Sequence, residues 1–117
     1  MVHFLCALAL VLLSPAAARP GNSEQGGEIY QERCVLCHGS KGHGWDWDKK
    51  IDRPPVPVPN LLEILPQRSD GYLFSVIRDG GEAVGRTRFM PAFGFNMTEQ
   101  ELKDIVAYLR SLQRKEK

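Results

Sequence analysis

The chain has 117 residues, with 15 Lys and Arg against 14 Asp and Glu for a formal net charge of +1. That length allows one domain. The balance of charge excludes any strong electrostatic pull toward nucleic acid or an acidic membrane surface.

Phe4 to Leu13 is an almost unbroken apolar run, followed by Ser14-Pro15 and Ala16-Ala17-Ala18. Small residues at the minus-three and minus-one positions predict cleavage after Ala18, so residues 1–18 read as a secretory signal peptide too short to span a bilayer comfortably. Export to the periplasm follows. No Lys or Arg precedes the run, which leaves a second possibility, an uncleaved chain tethered by its first helix. Cleavage removes His3 and Cys6 and leaves two cysteines, Cys34 and Cys37.

Residues 19–25 are polar and Gly-containing and are expected to form a disordered leader to a domain over 26–117. The first helix is predicted from about Gly27 to His38. Tyr30, Cys34, Cys37 and His38 fall at i, i+4, i+7 and i+8 and would share its inward stripe, and Gly39 is suited to ending it.

Cys34-Val35-Leu36-Cys37-His38 is the pattern of a c-type haem attachment site. Cysteines three apart on a helix, with a histidine one further, lie on one face. Both thiols can then join the two vinyl groups along one porphyrin edge while the imidazole of His38 ligates the iron. Zinc is the competing reading, through Cys34, Cys37 and His43. A closed structural zinc site needs four ligands, and adjacent Cys37 and His38 do not readily turn to one small ion. A redox dithiol is the third reading; in an oxidising compartment the pair would form a disulfide unless kept reduced until haem is attached. About 100 residues is small for an apolar core, and a haem at its centre would supply much of the missing apolar volume.

Ser40 to Asn60 reads as loop, with Trp45 and Trp47 in a Trp-Asp-Trp-Asp run and then Pro54, Pro55, Pro57 and Pro59. Each indole either donates to a haem propionate or packs as a lid on the prolines. Asn60 to Leu65 could make a short helical turn. Ser69 or Asp70 caps a helix to about Asp79 with Leu73, Phe74 and Ile77 inward, stopped by Gly80-Gly81. Glu82 to Asn96 has no clear period. Thr98 and Glu101 form a capping box for the last helix, whose apolar stripe is Leu102, Ile105, Val106, Leu109 and Leu112. No strand is evident, so the class is all-α.

The second axial position decides the chemistry. No histidine follows His43, which leaves Met90 and Met97 besides tyrosines and lysines. Pro91 keeps Met90 extended, so a loop can present its thioether; Met97, just before a helix cap, suits a packing role. His38 and Met90 together would favour ferrous iron and raise the reduction potential.

With these residues in place, the chain resembles class I cytochrome c, and within it the small bacterial monohaem type, over about Gly26 to Leu112. Gly26 and Tyr30 stand eight and four residues before Cys34, Arg88 to Phe93 is similar to the family's distal loop, and Asp104 to Arg110 is similar to its last helix. The resemblance implies the cytochrome c fold, three to five helices with long loops wrapped around one covalent haem c. It implies Met90 as axial ligand and a close approach of Gly26 to Tyr108. It also implies a proline carbonyl accepting the other ring proton of His38, with Pro59 the best match and Pro55 or Pro57 alternatives. Arg86 and Arg88 could meet propionates, form a docking rim or be solvated.

No acid–base machinery accompanies the haem motif, so the chain is expected to be an exported one-electron carrier and not an enzyme. Its partners would be redox proteins docking transiently at the haem edge, with the carrier itself a monomer. Two other readings stand beside this: a haem subunit bound permanently to a dehydrogenase or reductase, and an open-site haem protein that binds or reduces a small molecule.

Overall fold

The computed structural model describes residues 18–44 and 56–115. Trp45, Trp47, Pro54 and Pro55 lie outside that range. The described residues are helical, with no strand among them: α1 is Ser23–Arg33, α2 Val35–His38, α3 Leu61–Ile64, α4 Asp70–Asp79 and α5 Glu99–Lys115. Short 3-10 turns follow α3 and α4, at Leu65–Gln67 and Glu82–Val84.

The longest helix, α5, is the spine. Its predicted stripe of Leu102, Ile105, Val106, Leu109 and Leu112 is buried throughout, and Tyr30, Leu65, Leu73, Ile77 and Met97 complete the core. Burying each large side chain contributes about 1.5–3 kcal/mol. The capping box forms as predicted. Thr98 donates its N–H and hydroxyl to Glu101 Oε2 at 2.6 and 2.9 Å, and the Glu101 N–H donates back to Thr98 Oγ1 at 3.2 Å. Those bonds hold the Glu101 carboxyl below its ordinary pKa. Met97 occupies the position before the cap, buried in the same cluster as Leu102, where a staple residue belongs.

Helix α1 crosses α5 at a glycine. A Cβ on Gly26 would stand 1.8 Å from the Asp104 carbonyl oxygen and 2.8 Å from the Ile105 nitrogen, so only a bare Cα permits this approach. At the neighbouring Gly27 a Cβ would lie 3.0 Å from the Tyr108 ring, and Tyr30 packs on the same ring with centroids 5.1 Å apart. Each glycine clears a different part of α5, backbone for one and side chain for the other.

Helix α1 begins at Ser23, four residues before its predicted start, because the segment ahead of it is tied to α5. Asn22 caps the helix by accepting from the Glu24 and Gln25 N–H groups. The Asn22 N–H donates to the buried Asp104 carboxylate at 2.7 Å, and Gln100 Nε2 donates both to Asp104 at 2.9 Å and to the Pro20 carbonyl at 3.1 Å. The predicted disordered leader over 19–25 is therefore helical from Ser23, and its preceding turn is held by long-range bonds that local composition does not reveal.

Helix α4 matches its predicted limits, capped by Ser69 Oγ accepting from the Tyr72 N–H at 3.1 Å and ended by Gly80 at φ +88°. Its base is clamped by Arg110 of α5, which donates to Asp70 Oδ1 at 2.7 Å and to the carbonyls of Leu65 and Arg68. The exposed ion pair alone is worth little; the carbonyl bonds matter more. Arg110→Ala is expected to lower holoprotein stability by about 2 kcal/mol in thermal unfolding. Arg110→Lys should recover under half of that, since one ammonium cannot span three acceptors.

Candidate haem-binding site

The site is built at a break in the first helical rod. Cys34 joins α1 to α2: its N–H donates to Tyr30 O at 2.9 Å, and its carbonyl accepts from the His38 N–H at 2.9 Å. Cys34 thus ends one helix and caps the next. Tyr30 is buried, Cys34 and His38 are half-buried, and Cys37 faces outward beside Leu36, which is 81% exposed.

The two thiols consequently differ. Burial, and the neighbouring Cys37, push the Cys34 thiol up to about 11, against a smaller opposing pull from Arg33. Both cysteines are free.

Gly39 ends α2 at φ +76°. The chain then turns back: the Gly44 N–H donates to His38 O at 2.9 Å, and the Leu61 N–H donates to Gly42 O at 2.7 Å. A Cβ on Gly44 would come within 2.8 Å of Val58 O and 3.3 Å of Pro59 O, so the loop after His38 lies directly against the proline segment. The Tyr30 hydroxyl donates to Gly39 O at 2.6 Å, fixing the peptide next to His38 from inside the core. This tie escaped the sequence reading, which used Tyr30 only as a buried ring.

Burial lowers the pKa of His38, keeping its imidazole neutral, the form that ligates metal. Its Nδ1 is buried and makes no hydrogen bond to a described residue, so the expected bond to the Pro59 carbonyl is not formed in this structure.

Met90 is half-buried against the core cluster. Its carbonyl accepts from the Gly81 N–H at 2.9 Å. Just beyond it, the Phe93 and Gly94 N–H groups donate to Ile77 O and Arg78 O at the end of α4, both at 2.9 Å. Arg86 and Arg88 are exposed, and the Arg88 guanidinium sits 5.5 Å from the centroid of the Phe89 ring.

Among the described residues no three His, Cys, Asp or Glu side chains gather as a metal cluster, so Cys34, Cys37 and His43 do not assemble a zinc site. The donor chemistry fits haem. A neutral, desolvated imidazole with an orphaned ring nitrogen, a half-buried thioether and two free thiols at attachment spacing are the groups a covalent haem takes up.

Comparison with known proteins agrees with this arrangement. A solved c-type cytochrome, KustC0563, shares the fold at a TM-score of 0.57, covering 75% of this chain and 96% of that one at 23% identity. The fold is thus that of a c-type cytochrome. The model of the family described as cytochrome c oxidase, cbb3-type, subunit III matches residues 21–109, and the chain belongs to that cytochrome c family. Similar curated proteins include a cytochrome c-553-like protein of Synechocystis sp., 27% identical over 86% of this chain and 78% of that protein. Cytochrome c6 of Thermosynechococcus vestitus is 25% identical over 90% of this chain and 85% of its own length. The chain accordingly carries covalent haem c and is a haem electron carrier, not an enzyme.

Proposed function

We propose that this chain is an exported monohaem carrier that passes single electrons between redox proteins, with Cys34 and Cys37 holding the haem covalently and His38 and Met90 as its axial ligands. The reading is supported by two half-buried donors of the required kinds, the His38 imidazole and the Met90 thioether, each secured through its own backbone. When bound, the haem supplies a one-electron couple. The residues supply the rest. Thioether attachment prevents loss during shuttling, and two strong-field ligands leave no open coordination position. A carrier that keeps its ligands in both redox states reorganises little. Pro59 is proposed to accept the His38 ring proton once haem is bound; the support is adjacency, since its carbonyl lies against Gly44, whose N–H donates to His38 O.

Leu36, Phe89 and Phe95 are exposed large apolar residues, 81, 46 and 86% accessible. Such side chains suit brief, small-interface encounters by a monomer. Among the described residues no helix is long and apolar enough to cross a membrane. Periplasmic location after cleavage at Ala18 is the compartment in which such a carrier would work.

A second reading, a haem subunit resident in a larger complex, is favoured by the oxidase-subunit description of the matched family. One preparation tests both. Protein purified from a periplasmic extract should run at monomer mass, begin at Arg19, retain haem on a denaturing gel and show a sharp reduced α band. Its ferrous form should not take up carbon monoxide. A stable larger assembly would favour the resident subunit, and carbon monoxide uptake by the untreated protein would overturn two-ligand coordination.

A further inference from the structure

We propose that Gly80 and Gly81 form a backbone socket that seats the Met90 segment, making both glycines positioning residues for the axial thioether. The inference rests on Met90 being a ligand and concerns what holds it in place.

A helix leaves its last carbonyls without partners. In α4 two of these, Ile77 O and Arg78 O, accept from Phe93 and Gly94, on the far side of Met90, while the Gly81 N–H donates to Met90 O from the near side. The Arg86 N–H closes the intervening turn onto Gly81 O at 2.8 Å. The Met90–Gly94 segment is therefore strapped to the end of α4 at three backbone points. Pro91 has no N–H to contribute and keeps Met90 extended, so the position of the thioether follows from where this strap holds the main chain.

The two glycines do more than stop a helix. Gly80 has φ +88°, which a helix stop explains, but a Cβ there would also meet Ala92 N and Met90 O, both at 3.2 Å. Gly81 has φ −66°, a conformation open to any residue. What it needs is space: a Cβ would stand 2.2 Å from Thr87 O and 3.1 Å from Met90 Cβ. Gly85 provides the contrast, with φ +73° and nothing within 4 Å of the added atom. Gly85 serves conformation alone, whereas Gly80 gives up its side-chain volume to the Met90–Ala92 backbone and Gly81 to the Thr87 carbonyl and the Met90 Cβ.

The test uses mature holoprotein in the ferric state. Gly80→Ala should lose more global stability than Gly85→Ala, since Gly80 (φ +88°, ψ 168°) holds a conformation essentially confined to glycine while Gly85 (φ +73°, ψ 24°) is simply left-handed; what separates the two is the order in which band and helix are lost. Only Gly80→Ala should lose the far-red ferric band of thioether ligation well below the temperature at which helical circular dichroism is lost. Its affinity for added imidazole should rise about tenfold over Gly85→Ala, because displacement depends on the fraction of Met90 already detached. Should Gly80→Ala fail to accumulate, Gly81→Ala adds a Cβ at an ordinary φ of −66°, 2.2 Å from Thr87 O and 3.1 Å from Met90 Cβ, and is read identically. Loss of band and helix together, with imidazole affinity equal to that of Gly85→Ala, would overturn the socket. Met90→Ala separates the two ideas. A band that persists in that variant overturns ligation by Met90 itself, whereas a band lost there but stable in Gly80→Ala and Gly81→Ala overturns only the socket.

Discussion

Met90→Leu is expected to lower the reduction potential by on the order of 0.2 V, a quarter of the ~0.8 V that axial ligands span, while the haem stays covalently attached. The sulfur is the reason. A thioether is a soft donor that favours ferrous iron, and its loss opens the position to water or hydroxide, which favour the ferric state. Leucine conserves apolar volume where Met90 packs against the core, so the change isolates ligation from packing. Met90→Ala should give a similar potential with an added loss of stability. Spectroelectrochemical titration of the three proteins provides the comparison. An unchanged potential in both variants would mean that the sixth position belongs to another group, or to none.

Gly26→Ala should destabilise the holoprotein by roughly 3–5 kcal/mol, in the range reserved for severe core disruption. The sign is informative, because alanine ordinarily improves a helix by about 1 kcal/mol over glycine. Here the added carbon would lie 1.8 Å from the Asp104 carbonyl oxygen, backbone that cannot move aside without separating α1 from α5. Separation would also break the Asn22 to Asp104 bond and the packing of Tyr30 on Tyr108. The control is Gly71→Ala in α4, where the new atom meets only Ser69 Oγ at 3.9 Å. That variant should gain up to about 1 kcal/mol. Thermal unfolding should place Gly26→Ala roughly 15–30 °C below the parent; a fall of only a few degrees would mean that the crossing tolerates a side chain.

The capping box, the α5 stripe and the limits of α4 are legible in the sequence because each depends on neighbours within one or two turns. Thr98 needs only Glu101, and Ser69 needs only Tyr72. The early start of α1 is of another kind. Its first turn is secured by Asp104 and Gln100 of α5, about eighty residues away. The break between α1 and α2 was likewise hidden, since a periodic template assumes an unbroken rod and the rod breaks at Cys34.

Chemistry, then, was largely readable from residue type and spacing: two thiols three apart with a histidine beside them point to covalent haem, as covalent reach is a local property, while the absence of a zinc cluster among the described residues needed the fold. Which side chains are buried, which glycine meets which part of α5, and how the Met90 backbone is held against the end of α4 were settled only by tertiary structure. These depend on contacts between segments far apart in sequence. Such contacts arise from the packing of whole helices, and no local pattern encodes the register at which two helices meet.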